Sequence, residues 1–171
     1  YNLGKKDDVV IQEDQSALMF VLEGEVRLNG LRGEHTDVLR NSISLLPIAS
    51  KVLMRSKNKA RILIVLFDLT NYFSIEYTQE LLRYPNNESK SYIELKDNLM
   101  PFLRSVLSYI DDAKDMTELS ELLRAEMFVI IRLYYSQEDI SRLLSPILNI
   151  DLSFKQLVMR HCLQIETLDE L

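Results

Sequence analysis

The chain has 171 residues, of which 47% are hydrophobic and 27% charged, as in a globular protein with one large domain or two small ones. Its net charge is −6, and residues 96–171 carry 13 acidic against 8 basic groups, so this half lacks the basic surface that duplex DNA requires. No apolar run reaches the ~20 residues of a membrane span, no signal peptide is evident, and the single Cys162 excludes an internal disulfide, so we expect a cytoplasmic protein.

Residues 17–30 predict the first long strand, because apolar and polar side chains alternate along them. Gly24 inside this run predicts a bulge or bend, and Asn29-Gly30 predicts a tight turn. Charged side chains at 23, 25 and 27 occupy one face of the strand. The apolar residues predicted to share the other face are Phe20, Leu22, Val26 and Leu28.

Further short strands are predicted at 42–47, where Pro47 ends the run, and at 51–56, 61–69 and 91–95. The strand at 61–69 is apolar on both faces, as in a strand buried between two layers. Lys57-Asn58-Lys59 is interpreted as a hairpin tip between two of these strands. The basic residues around it form either an anion site or a solvated strand edge protected by lysine. Closely spaced short strands indicate a sandwich or barrel.

From about Asp97 the hydrophobic period becomes helical. We expect Asp97 to cap this first helix, which places Pro101 near its first turn, where a missing amide costs little. Further helices are predicted after Thr117, from the cap at Ser136 to about Pro146, and from Asp151 or Ser153. Residues 167–171 are interpreted as the first turn of one more helix.

The first half resembles the cupin double-stranded β-helix. Metal-dependent cupins present a His-x-His pair, a nearby Glu and a later His, whereas this half contains His35 alone, and the other histidine, His161, lies in a predicted helix. The sequence also lacks a G-x-S-x-G nucleophile elbow and a Gly-rich phosphate loop. We therefore expect no metal, no cofactor and no enzymatic activity.

A second resemblance is to the β-roll of cyclic-nucleotide-binding regulators, carried by FVLEGEVRLNG (20–30). The phosphate cassette of that family places apolar residues and then Arg-Ala after a Gly-Glu pair. Here Gly33-Glu34 is followed by the polar residues 35–37, and no Arg-Ala follows in the first half. This resemblance therefore ranks second.

Residues 120–171 resemble the connector of AraC-family transcription regulators, especially those common in Bacteroides-type bacteria. In that group a helix ending in an Arg-x-Tyr-Tyr-like element precedes a Pro-containing helix, an Asp-x-x-Phe-Lys helix and the opening of a helix-turn-helix unit. The matching residues are Arg132, Tyr134, Tyr135, Pro146, Asp151, Phe154, Lys155, Val158, Leu168, Glu170 and Leu171. Residues 17–69 resemble the family's cupin-like sensor more loosely.

This resemblance implies an α+β protein, with a cupin-like β-barrel sensor domain (1–95) followed by a helical dimerisation and connector region (96–166). Residues 167–171 would begin the helix-turn-helix domain, whose remainder is absent. The implied function is effector sensing and dimerisation in a regulator that binds DNA only through that missing domain. The alternatives are a sensor like the β-roll of cyclic-nucleotide-binding regulators and a stand-alone, non-metal cupin binding protein.

The sequence offers one set of candidate residues for an effector pocket and another for a dimer interface. A small, largely apolar effector is expected inside the barrel, against Phe20, Leu22, Val26 and Leu28, although a barrel filled by its own side chains is an equal alternative. The helical stripe either joins two copies in a homodimer or packs on the chain's own barrel. The candidate interface residues are Leu99, Phe102, Leu103, Val106 and Leu107.

Overall fold

The computed structural model describes residues 1–29, 35–48, 51–84, 92–112 and 117–148. Its strands are β1 (Asn2–Leu3), β2 (Asp8–Gln12), β3 (Ser16–Glu23), β4 (Val26–Asn29), β5 (His35–Val38), β6 (Ser42–Leu46), β7 (Lys51–Ser56), β8 (Ala60–Phe67) and β9 (Tyr92–Glu94). Its helices are α1 (Ile75–Leu81), α2 (Met100–Asp112), α3 (Thr117–Tyr134) and α4 (137–148). The predicted change from strands to helices near residue 95 is confirmed, with α1 as an early helix. The helices predicted from residue 151 onwards lie outside the described residues.

The strands form two antiparallel sheets. The first, sheet A, has the order β1-β8-β3-β6-β9, and the second, sheet B, has the order β2-β7-β4-β5. Successive side chains of a strand point to opposite faces of its sheet. Along β3, Met19 and Val21 therefore belong to a core shared with sheet B, whereas Leu18, Phe20 and Leu22 belong to a core shared with the helices. Among the described residues no strand pairs one sheet with the other, so a two-sheet sandwich is seen and a closed barrel is not shown.

The run at 17–30 is two strands rather than one. Gly24 separates β3 from β4 at a positive φ of 79°, and a Cβ there would lie 2.3 Å from the carbonyl oxygen of Lys59. The chain crosses from sheet A to sheet B at this bend, and the pairing of β3 with β8 shifts between Val21 and Glu23. The predicted bend is confirmed. The predicted common face is wrong, because strand alternation does not continue through a bend that changes sheets.

The segment 57–59 is also a crossing between sheets and not the predicted hairpin tip, since β7 pairs with β2 and β4 while β8 pairs with β3 and β1. Two of the basic residues in and around this segment are paired with carboxylates: Arg55 with Asp8 at 2.6 Å, and Lys57 with Asp37 at 2.8 Å. Hydrogen bonds from Arg27 and Lys57 hold the pKa of the Asp37 carboxyl well below its usual range. These pairs oppose the anion-site interpretation, and because β7 is an inner strand, the edge interpretation is wrong as well.

The helix boundaries follow local capping. The α2 helix begins at Met100, three residues after the predicted cap at Asp97, and Pro101 lies in its first turn as expected. Ser136 caps α4, since its Oγ accepts a hydrogen bond from the Asp139 amide at 3.1 Å. This helix includes Pro146 and is described through residue 148, two residues beyond the approximate predicted end. Pro146 has no amide hydrogen to donate to the carbonyl of residue 142, four residues earlier. That carbonyl instead accepts a hydrogen bond from Ser145 Oγ at 3.0 Å.

The helices form a layer on sheet A, and a separate helical bundle is not confirmed. One core cluster contains residues from β3, β6 and β8 together with residues from α2, α3 and α4. Within it, Phe128 of α3 lies 5.0 Å from Phe67, 4.6 Å from Tyr72 and 5.2 Å from Phe73, measured between ring centroids. Rings at such distances contribute packing beyond their buried area. Hydrophobic packing therefore continues across residue 95.

The end of α3 is fastened to the segment that follows β9. The Lys96 amide donates a hydrogen bond of 2.8 Å to the hydroxyl of Tyr135, and burial raises the pKa of that hydroxyl to about 12. The Lys96 ammonium donates to the Tyr134 carbonyl at 2.6 Å and lies 4.7 Å from the Tyr135 ring centroid. Tyr135 thereby fixes α3 to the edge of sheet A at β9.

We expect Tyr135→Phe to lower the free energy of unfolding by about 1 kcal/mol, because the Lys96 amide loses its acceptor. Urea unfolding followed by circular dichroism measures this change. Tyr134→Phe is the matched control, since the Tyr134 side chain is exposed and its carbonyl is retained. Equal stability of the two variants would show that the Tyr135 hydroxyl does not fasten the helix.

Candidate functional site

The four predicted pocket residues are buried, but they lie in two different cores. Phe20 and Leu22 face the helices, whereas Val26 and Leu28 face the space between the sheets. Packed side chains occupy the described part of this inter-sheet space, including Met19 and Met54. The four residues therefore do not form one wall.

An apolar cavity lies on the other side of sheet A, between β8, α2 and α3. We call it the β8–α2–α3 groove. Its volume is about 290 Å³, and it is partly open to solvent. Ten of its twelve lining residues are apolar. The lining residues are Leu63, Ile64, Val65, Leu66, Phe102, Leu103, Val106, Ile110, Ser120, Leu123, Arg124 and Met127.

The groove follows from the position of β8 in sheet A. β3 pairs with β8 along most of its length on one side, whereas β1 covers only Ala60 and Arg61 on the other side. Among the described residues, no strand covers the outer edge of β8 beyond these contacts. The helices α2 and α3 lie against this region and leave a space between their side chains and the strand. Leu103 and Met127 at this site are buried, whereas Ile110 is half exposed.

Two polar residues enter the groove from α3. Arg124 Nη2 donates a hydrogen bond of 3.3 Å to Ser120 Oγ, one helical turn away, and both side chains are half-buried. Ser120 Oγ in turn donates to the carbonyl of Thr117 at 2.9 Å. Within the described part of the chain, no carboxylate lies within 4.0 Å of the Arg124 guanidinium. The groove thus combines apolar walls with one positive charge.

The stripe proposed as a dimer interface packs mainly on the chain's own sheet. Leu99, Leu103 and Val106 are buried in the core shared by sheet A and the helices, and Phe102 and Leu107 are partly buried against it. Three of the five candidates are therefore inaccessible to a partner in the folded chain. An amphipathic helix shows the same sequence period whether its apolar face meets its own sheet or another copy.

A row of exposed apolar side chains lies instead on α3. Leu122, Val129 and Leu133 are exposed to 69%, 44% and 71% respectively. Steps of seven and four residues place them along one side of the helix. We call these three residues the outer α3 stripe. In the sequence, the run 127–135, which contains Val129 and Leu133, is apolar nearly all round, whereas Leu122 lies outside this run.

The described residues contain no group of three or more His, Cys, Asp or Glu side chains arranged to hold a metal ion. None of the helices in the described part of the chain is long and apolar enough to span a membrane.

No known family model matches the chain, and no curated protein matches it by sequence. Solved structures similar to it include an apo form of ToxT, an AraC-family protein from Vibrio cholerae, with 17% identity and a TM-score of 0.45. That match covers 86% of this chain and 63% of the ToxT chain. A second ToxT structure, bound to (E)-4-(8-methylnaphthalen-1-yl)but-3-enoic acid, has 15% identity and a TM-score of 0.44, with 86% and 64% covered.

A cupin-superfamily protein from Desulfitobacterium hafniense is also similar, with 17% identity and a TM-score of 0.36. This match covers 39% of this chain and 62% of the other. The chain thus spans less than two thirds of the length of the protein in each of these three structures. Identities of 15–17% and TM-scores of 0.36–0.45 are too low to assign the chain to either family.

Proposed function

We propose that this chain is the effector-sensing and dimerising part of an AraC-type transcription regulator, with a non-enzymatic role in the cytoplasm. The observation that carries the proposal is the β8–α2–α3 groove, an apolar cavity of about 290 Å³ where the sheet meets the helices. The order of the motifs in residues 120–171 supports the regulator class. In such a protein a C-terminal helix-turn-helix domain would bind the DNA.

The position of the groove provides a route from binding to regulation. A ligand there contacts Leu63 and Val65 of the sheet, Val106 of α2 and Met127 of α3 at once. It therefore favours one arrangement of the helices on the sheet over others. A ligand shifts such an equilibrium only by its difference in affinity between the arrangements. Because α3 also carries the outer α3 stripe, a change in its position changes the surface offered to a second copy.

We propose a second copy of this chain as the occupant of the outer α3 stripe. Two α3 helices packed antiparallel would place Leu122 of one copy against Leu133 of the other, with Val129 of each near the middle. Such a symmetric contact uses the same surface on both copies. Joining two copies would also bring two DNA-binding domains to paired half-sites.

The sensing role predicts that small apolar molecules stabilise the chain by filling the groove. A ligand at about a hundred times its Kd should raise the melting temperature by about 5–10 °C. We expect octan-1-ol or octanoate to do so, and expect Ile110→Trp to reduce the shift, because a larger side chain at the groove's half-exposed position takes up its volume.

Tyr109→Trp is the control for this thermal-shift experiment, since Tyr109 is exposed at a neighbouring position and does not line the groove. If neither compound shifts the wild-type melting temperature, or if Ile110→Trp leaves the shift intact, the groove is not the effector site.

The dimer proposal predicts that Leu133→Glu converts a dimer into a monomer, because two carboxylates would be buried in an apolar contact. Analytical ultracentrifugation over a range of concentrations measures the change. Leu39→Glu is the matched control, an exposed leucine between β5 and β6 with the same change of side chain. A wild-type chain that stays monomeric at high concentration, or equal effects of both variants, would contradict the proposal.

A further inference from the structure

Arg124 is a cation placed among apolar side chains. Its guanidinium donates to the neutral Ser120 hydroxyl, and no carboxylate of the described residues pairs with it. Two arginines of sheet B, by contrast, are paired with carboxylates at short range: Arg27 with Asp37 at 2.8 Å and Arg55 with Asp8 at 2.6 Å. A partly dehydrated charge with only a neutral partner is unfavourable, and an anion in the groove would relieve that cost.

The rest of the groove restricts the chemistry of this anion. Its walls are Leu63 and Val65 of β8, Val106 and Ile110 of α2, and Met127 of α3. They offer dispersion contacts and no side-chain hydrogen bonds, so a sugar would lose its hydration without replacement. A phosphate carries more than one negative charge at neutral pH. Arg124, the one cation among the described lining residues, would balance only one of these charges.

Size sets a further limit. At about 30 Å³ for a group the size of a water molecule, 290 Å³ holds about ten such groups. An unbranched acid with about ten non-hydrogen atoms, such as octanoate, fits this volume. Its carboxylate matches the planar guanidinium, which can donate two parallel hydrogen bonds.

We propose that the β8–α2–α3 groove binds an aliphatic monocarboxylate, with Arg124 pairing its carboxylate and Ser120 orienting the guanidinium. This inference rests on the proposed sensing function and specifies the class of effector. The alkyl chain lies along β8 between α2 and α3, and the charged end lies on α3. Both the sheet and the helices therefore contact the same molecule.

Isothermal titration calorimetry with octanoate tests the pairing on the full chain. We expect Arg124→Gln to weaken octanoate binding about tenfold or more, since a hydrogen-bonded charge pair is replaced by a neutral contact. Arg104→Gln is the matched control, an exposed arginine on α2 that does not line the groove, and should change the affinity less than about twofold. Octan-1-ol should bind wild type and Arg124→Gln equally.

The outcomes separate this inference from the function on which it rests. If octan-1-ol binds and octanoate binds wild type and Arg124→Gln with equal affinity, the carboxylate inference is overturned while the apolar effector site stands. If Arg104→Gln weakens octanoate as much as Arg124→Gln does, the effect is general charge attraction and the inference is again overturned. If neither compound binds wild type, both fail. Arg124→Lys should restore part of the octanoate affinity, which a purely structural role of Arg124 would not predict.

Discussion

The structure depends on the burial of both faces of β3. Its residues from Ser16 to Leu22 are all buried, so each face of sheet A requires an apolar cover. Sheet B covers one face, against Met19 and Val21, and the helices cover the other, against Leu18 and Phe20. Burial of each such side chain stabilises the fold by about 1.5–3 kcal/mol. Sheet B and the helical layer therefore have the same role, since each buries one face of sheet A.

The groove follows from how the helices meet this requirement. They are anchored at the ends of sheet A, by Phe128 against the aromatic rings that follow β8 and by Tyr135 against the segment after β9. The part of α3 that precedes both anchors, residues 120–127, lies with α2 beside the outer edge of β8 without filling the space next to it. The sheet and the helical layer both line this cavity. A bound ligand therefore changes the contacts of both layers at once. Because Arg124 lies beside apolar walls, the site favours a ligand that combines a negative charge with an apolar chain.

Most elements could be predicted from the sequence, because alternation and helical periods are local properties. The bounds of β7 and the cap of α4 at Ser136 are examples. The partner of each strand is not local: Gly24 moves the chain to the other sheet, so Val26 no longer shares a face with Phe20. Likewise the apolar stripe of α2 shows the same helical period whether it packs on the chain's own sheet or on a second copy. Arg124 looks like any helical arginine in the sequence, and only the fold places it in an apolar groove.

The location of ligand binding can be tested directly with methionine methyl groups, since Met127 lines the groove whereas Met19 and Met54 lie between the sheets. NMR spectra of the chain labelled with ¹³C at its methionine methyls would be recorded during titration with octanoate. Binding in the β8–α2–α3 groove predicts a saturable shift of the Met127 signal, with the Met19 and Met54 signals nearly unchanged. Shifts of the Met19 and Met54 signals with a constant Met127 signal would place the ligand between the sheets and rule out binding in the groove.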